Sequence, residues 1–231
     1  MVETSAEFDA VAHGYDQQHS QSIRLSGEEP DYFARYKIEM LKRFTQQYDN
    51  PAHNILDFGA GIGNAAPHIS ALFPGAAITA LDVSQQSLSL CSARNIPNLQ
   101  TLAYDGASIP MDDASQDVVL TACVFHHIEA DMHVQLLREI RRILKAGGMF
   151  ALFEHNPWNP LTRHAVANCP FDENAVLITA PEMRGRLLSA GFQTVDSHYC
   201  VFFPKAVSVL RPLEKKLGWL PMGAQYMLMG R

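Results

Sequence analysis

A doubly wound α/β sandwich, a largely parallel sheet with helices on both faces, is the fold class predicted by two features of this 231-residue chain. Short apolar runs recur between Asn54 and Glu154, and amphipathic segments of helical length separate them. The runs are nearly continuous in apolar residues rather than alternating, as expected of strands buried on both faces. Only a crossover helix can then return the chain to start a parallel neighbour.

The elements follow in order. Residues 28–47 place Phe33, Ile38, Met40, Leu41 and Phe44 at mixed spacings with charges between them, after Pro30 in a first turn, which predicts a helix ahead of the core. The strands are NILDF at 54–58, AAITALD at 76–82, NLQTLA at 98–103, DVVLTACVF at 117–125 and GMFALFE at 148–154. Helices are predicted to open near Gly63, Ser84 and Asp131, where acceptor side chains are available for their N-termini. From 155 to 180 the pattern lapses into HNPWNPLTRHAVANCPFDENAVLITA. An interruption of about 25 residues exceeds most loops in compact domains and is a candidate substrate-facing insertion or cap. A helix at 181–190, then QTVDSHYCVFF and GAQYMLMGR with turn or helix material between them, complete the sheet. The chain thus divides into a helical lead-in over 1–50 and a main domain over 51–231 that carries the insertion.

Composition narrows the function. Lys and Arg total 18 against 24 Asp and Glu, a net charge of −6, and charged residues make up only 18%. Dense positive charge for phosphate-backbone binding is absent, as are a basic stretch and an NPPY-like base-flipping motif, so no nucleic-acid partner is expected. Glu3, Glu7 and Asp9 stand where an export signal would carry positive charge and then an apolar core. No charge-free stretch approaches the ~20 residues of a membrane helix. Cys91, Cys123, Cys169 and Cys200 form no CxxC pair and have no ordered His partner. The expectation is a cytoplasmic protein with free cysteines and no metal site, monomeric or homodimeric.

ILDFGAGIGNA, residues 55–65, is a buried strand running through glycines into a helix. Gly59 and Gly61 permit positive φ and close approach of a ligand, Gly63 permits tight strand-to-helix packing, and the helix N-terminus offers free N–H donors. A tight turn with no ligand is the alternative. Asp82 ends the next strand, 23 residues beyond Gly59, where a carboxylate can accept from both hydroxyls of a ribose. Its alternative is a helix-capping role in DVS. Asp105, just past the third strand, can accept from an exocyclic adenine amine or simply make an Asp-Gly turn.

In register from about Ile55 to Glu154, LDFGAGIG, LDVS, YDGASIPMDDASQDVV, FHHI and LREIRRILKAGGMFALFE together resemble the class I S-adenosylmethionine-dependent methyltransferases. The likeness is to the type 11 small-molecule group that includes the ubiquinone and menaquinone methylases. It implies a Rossmann-like seven-stranded mixed sheet in the order 3-2-1-4-5-7-6, with an antiparallel strand 7 supplied by GAQYMLMGR. It also implies S-adenosyl-L-methionine as donor, S-adenosyl-L-homocysteine as product, and no metal. By the same resemblance, Asp57, Gly59 and Gly61 flank the methionine moiety, with Ala60 and Gly63 in the same turn. Asp82 and Val83 take the ribose, and Asp105 and Gly106 lie by the adenine. Residues 123–127, Cys123 and Val124 among them, line the floor near the sulfonium. FDAVAHGYD resembles the group's F-D-x-x-A-x-x-Y-D lead-in, whose tyrosine, here Tyr15, helps close the cofactor site; an apolar helix packing on the core is the alternative. The segment from Glu154 to Ala180 departs from the quinone methylases, so their substrate does not carry over.

Methyl transfer from a sulfonium is an in-line displacement, and holding the nucleophile against the methyl can supply ~7–11 kcal/mol without a covalent intermediate. A hydroxyl acceptor additionally needs a base, most often His at neutral pH. His126 and His127 follow the fourth strand at its carboxyl end, and Glu154 and His155 leave the fifth at the same edge. His127, Glu154 and His155 are the candidate catalytic groups, and His126 is a candidate on the acceptor side. Trp158 and Arg163 offer a stacking surface and an anion contact, or packing of the cap. In 204–221, Val207, Leu210, Leu213 and Leu217 lie to one side and Lys205, Arg211, Lys215 and Lys216 elsewhere. That segment either packs on the sheet edge or rests weakly on a membrane carrying a lipid-linked acceptor. Two rival functions stand beside methyl transfer. An NAD-dependent dehydrogenase would space its glycines GxGxxG, whereas residues 59–64 read GAGIGN. A cofactor-binding homologue without activity would keep every motif.

Overall fold

The computed structural model describes residues 20–231, so Tyr15 and the FDAVAHGYD lead-in lie outside it. Helix α1 (Pro30–Gln47) is followed by β1 (Asn54–Phe58), α2 (Ala66–Leu72), β2 (Ala77–Asp82), α3 (Gln85–Ser92), β3 (Leu99–Ala103) and β4 (Gln116–Ala122). Then come α4 (His133–Ile143), β5 (Leu144–His155), α5 (Pro160–Ala167), α6 (Ala180–Ser189), β6 (Val195–Cys200) and β7 (Gln225–Gly230). The seven strands form one sheet in the order β3-β2-β1-β4-β5-β7-β6. The first five are parallel, while β7 runs antiparallel to both β5 and β6.

Successive strand residues point to opposite faces, and each face has its own core. Ile55, Val118, Leu120, Ala151 and Phe153 pack against Ile38, Leu41 and Phe44 of α1 and Ile69 of α2. Their neighbours Leu56, Phe58, Val119, Phe150 and Leu152 pack against Leu136, Leu137 and Ile140 of α4 and Met183 and Leu187 of α6. This two-sided burial is why the strands lack alternation in sequence.

One expectation needs revision, and two irregular regions gain definition. The apolar run 117–125 is strand only as far as Ala122, because Cys123 turns to a left-handed φ of +59° and Phe125–His127 form a 3-10 turn. The interruption at 155–180 contains α5, capped by the Asn159 side chain accepting from Leu161 and Thr162 N–H, and a 3-10 turn at Pro170–Asp172. Residues Lys205–Lys216 are a 3-10 segment that does not bury its apolar side. Val207 and Leu210 are about two-fifths exposed, Leu213 is 51% exposed, and the segment's buried side chain is Glu214. Both irregular regions lie at the carboxyl edge of the sheet, since they follow the C-terminal ends of β5 and β6.

Candidate functional site

At that edge β1 runs into the glycine turn. Gly59, Gly61 and Gly63 have φ of +73°, +53° and +79°, and the Gly59 and Ala60 N–H groups donate to Leu81 O at the end of β2. The three glycines are required for different reasons. A Cβ on Gly59 would lie 2.5 Å from Val124 Cγ2, and one on Gly63 would strike the Cys91 sulfur. At Gly61 nothing lies within 4 Å, so backbone is presented to open space. Its N–H donates to Asp82 Oδ2 at 2.7 Å, and Asp82 Oδ1 accepts from Ser84 N at 2.9 Å. The helix cap of α3 is Ser84, whose hydroxyl accepts from Ser87 N. Val83, half-buried, links the two.

Asp57 is buried behind the turn, and burial together with the neighbouring Asp82 charge pushes its carboxyl up to about 7. Lys37 opposes that rise. This lysine, only 9% exposed, reaches from α1 to donate to Cys123 Sγ at 3.6 Å. Asp105 makes a turn, its Oδ1 accepting from Ala107 and Ser108 N–H, bonds that hold its carboxyl below the usual range. Gly106, at φ +85°, completes it.

The second half of the site is a buried polar cluster beneath the 3-10 turn. Glu154, 1% exposed at the end of β5, accepts from Val124 N at 3.0 Å, from Phe125 N at 2.8 Å and from His126 Nδ1 at 2.6 Å. Its carboxylate therefore replaces the strand ladder that β4 abandons at Cys123. The other His126 nitrogen faces Asp172 Oδ1 at 3.4 Å, and His127 Nε2 lies at the same distance from that oxygen. Val176 N donates to His126 O, closing the insertion over the pair.

Charge organises this cluster. Burial acts to lower the His126 pKa, but the Glu154 charge and hydrogen bonds to Asp172 and Glu154 outweigh it and hold the imidazolium to about 10. Burial likewise acts to raise Glu154, and the charge and hydrogen bond of His126 overcome it, to about 2. His155, whose ring centroid lies 5.1 Å from that of His126, is brought down to about 4 by burial and then by the His126 charge. Its ring is thus neutral at pH 7. His126, His127 and Asp172 bring three ligand atoms within 4.8 Å of one another, a spacing a divalent cation could use. With both nitrogens of His126 facing carboxylates, however, the arrangement is that of an imidazolium bridging two anions.

The fold therefore brings Asp57, Gly59, Ala60, Gly61, Asp82, Cys123 and Val124 to one end of the sheet, with His126, His127, Glu154 and His155 there too. Trp158, half exposed, stacks on Tyr199 at 6.2 Å, and Arg163 is exposed on α5. Sequence reasoning missed Lys37, Asp172 and Gln225. Gln225 donates to Cys123 Sγ through Nε2, while its buried Oε1 has no hydrogen-bond partner among the described residues. A signal for Lys37 existed: it shares with Met40, Leu41 and Phe44 the spacing of the buried stripe of α1.

Residues 56–152 match the family model described as a methyltransferase domain. A phthiotriol/phenolphthiotriol dimycocerosates methyltransferase of Mycobacterium tuberculosis is 29% identical over 152 residues, covering 64% of this chain and 53% of that protein. An uncharacterized methyltransferase-like protein of Schizosaccharomyces pombe is 35% identical over 105 residues, covering 46% of this chain and 38% of its own length. The chain spans about half the length of the mycobacterial relatives it matches. Among solved structures, a Thermotoga maritima S-adenosylmethionine-dependent methyltransferase, described as a possible histamine N-methyltransferase, superposes with a TM-score of 0.72. It is 17% identical and the match covers 98% of both chains, a likeness of fold.

Proposed function

We propose that this chain, whose residues 56–152 match the methyltransferase-domain family model and whose strands take the order β3-β2-β1-β4-β5-β7-β6, is a class I S-adenosylmethionine-dependent methyltransferase that transfers a methyl group to a small-molecule or lipid-linked acceptor. The observation that carries this reading is the glycine turn: Gly61 presents backbone to open space while its N–H donates to Asp82, whose charge in turn acts on the buried Asp57 carboxyl. That donor set fits S-adenosylmethionine: carboxylates for its ammonium and its ribose hydroxyls, and backbone without a Cβ for close approach. When bound, this cofactor supplies an electrophilic methyl group on a sulfonium.

The remaining chemistry belongs to the protein. Gly59, Ala60, Gly61 and Gly63 shape the cradle, Asp57 accepts from the ammonium, and Asp82 with Val83 holds the ribose. Asp105 and Gly106 border the adenine, and Cys123 and Val124 form the floor. Glu154 is a positioning residue: its acceptor bonds fix the floor's backbone rather than reach for an acceptor proton. His155, whose ring is neutral at pH 7, and His127, whose ring centroid lies 4.1 Å from that of His126, are the two candidates to take the proton of a hydroxyl acceptor. The mycobacterial relatives named for phthiotriol dimycocerosates support a lipid-linked acceptor. Among the described residues no helix is long and apolar enough to cross a membrane.

Titration calorimetry with S-adenosylhomocysteine, using NAD as control, tests the reading. Micromolar binding of the first and none of the second is expected; binding of NAD alone overturns it. Lys37→Met sharpens the test. Removing the ammonium lets the Asp57 carboxyl rise further above 7, so less of it is ionised to accept a proton donor. S-adenosylhomocysteine affinity should fall about tenfold, by the ~1.4 kcal/mol of one charge-assisted contact. The deficit should be larger at pH 6 than at pH 8, as a protonated Asp57 requires.

A further inference from the structure

We propose that the connection from Lys205 to Met222, with Trp158 and Leu161 of the insertion, is a docking surface for an anionic lipid bilayer. The proposal deepens the lipid-linked alternative above and rests on it for its purpose, but its test needs no turnover.

The segment is inside out for a water-facing surface. Two of its five charged groups turn inward, Glu214 and Arg211: Glu214 accepts from Tyr36 Oη at 2.8 Å and from the Phe202 and Phe203 N–H groups. Arg211 lies over the Tyr32 ring at 4.4 Å and donates to Glu28 at 2.6 Å. Its apolar groups turn outward, Val209 being 84% exposed, Trp219 75% and Met222 65%. A concentration of exposed apolar side chains of this kind marks a surface that another apolar phase covers.

The patch is concentrated, and its C-terminal end is bonded to the insertion. Asn159 Nδ2 donates to Met222 O, and Tyr199, under the Trp158 ring, donates its N–H to Gly218 O. Eight of the ten large apolar side chains exposed among the described residues belong to it. It flanks the same sheet edge as the glycine turn and the histidines, so a docked membrane would face the entrance to the site.

Charge selects the occupant. From 205 to 222 the sole acidic residue is the buried Glu214, while Lys205, Lys215 and Lys216 are exposed, in a chain whose net charge is −6. Aromatic and aliphatic groups with lysines beside them suit the headgroup region of an anionic leaflet. A neutral apolar protein partner would leave those lysines unanswered.

Co-sedimentation of the full chain with vesicles tests this. Binding is expected to vesicles of equal parts phosphatidylglycerol and phosphatidylcholine, weakened by salt, with little binding to phosphatidylcholine alone. Trp219→Ser with Met222→Ser should weaken binding at least about tenfold, and Lys215→Gln with Lys216→Gln should cost about fivefold per lysine. Each variant should keep its S-adenosylhomocysteine affinity, since none of these side chains lies in the cofactor cradle. The proposal is overturned if neither vesicle retains the protein, or if both double variants bind as the parent does. It is equally overturned if the substitutions instead dissolve a dimer seen by light scattering, which would make the face an interface between copies. Vesicle binding without S-adenosylhomocysteine binding would leave docking standing and remove the enzymatic reading.

Discussion

Glu154→Ala is expected to lower the unfolding free energy by about 3–5 kcal/mol, the range for removing one partner of a buried ion pair. Domains of this kind have about 5–15 kcal/mol to lose. The size follows from what is stranded. Alanine leaves the Val124 and Phe125 N–H groups without their acceptor and the buried His126 imidazolium with Asp172 alone, at 3.4 Å. Glu154→Gln retains an amide oxygen for the two backbone donors while removing the charge, so it should lose less. Urea denaturation of the three proteins at pH 6 reads the difference. A loss under about 1 kcal/mol for alanine would mean that water replaces the carboxylate and that the 3-10 turn is not fastened by it.

The same pair predicts a pH profile. Glu154 is depressed, so its contribution is full above the ordinary carboxylate pKa of about 4.5 and is lost as pH falls toward about 2. His126 is raised, so its contribution is full below about 6.5 and is lost as pH rises toward about 10. Parental stability from this cluster is therefore greatest between about pH 4.5 and 6.5, and the alanine variant should be flatter across both limbs.

Much of the fold was legible because buried parallel strands carry their signal in composition and length. β1 coincides with its expected range, and β2 and β3 differ by a residue at their starts. β4 was overextended because apolar character reports burial, and Val124 and Phe125 remain packed on the core after the backbone has turned aside at Cys123. Nothing in the run 117–125 says that a glutamate 30 residues later will accept its N–H groups. Asp172 was invisible for a related reason: it lies 46 residues from His126, within a proline-rich stretch that offers no periodicity. The 205–216 segment shows a different limit. Spacing identifies which side chains share a side, but Glu214 and Arg211, through Tyr36, Glu28 and Phe203, decide which side turns inward. Lys37 was hidden by convention, since a lysine on an apolar stripe reads as a polar interruption rather than as a group directed at Asp57 and Cys123.

Asp82→Ala is expected to reduce S-adenosylhomocysteine affinity by about 10- to 150-fold, the ~1.5–3 kcal/mol of a charged hydrogen-bonding group. The carboxylate acts twice. It holds the Gly61 N–H at 2.7 Å and the Ser84 N–H at 2.9 Å, thereby linking the glycine turn to the start of α3, and it stands at the carboxyl end of β2 where ribose hydroxyls can donate to it. Asp82→Asn separates the roles, since an amide oxygen can still accept one backbone bond but lacks the charge. Removing the charge also relieves Asp57, whose carboxyl Asp82 helps to push up to about 7. In Asp82→Ala, Asp57 is then more fully ionised at neutral pH, so the residual affinity should vary less between pH 6 and 8 than in the parent. Affinity within about threefold of the parent, well short of the ~1.4 kcal/mol of a tenfold change, would confine Asp82 to the turn and remove it from the ribose.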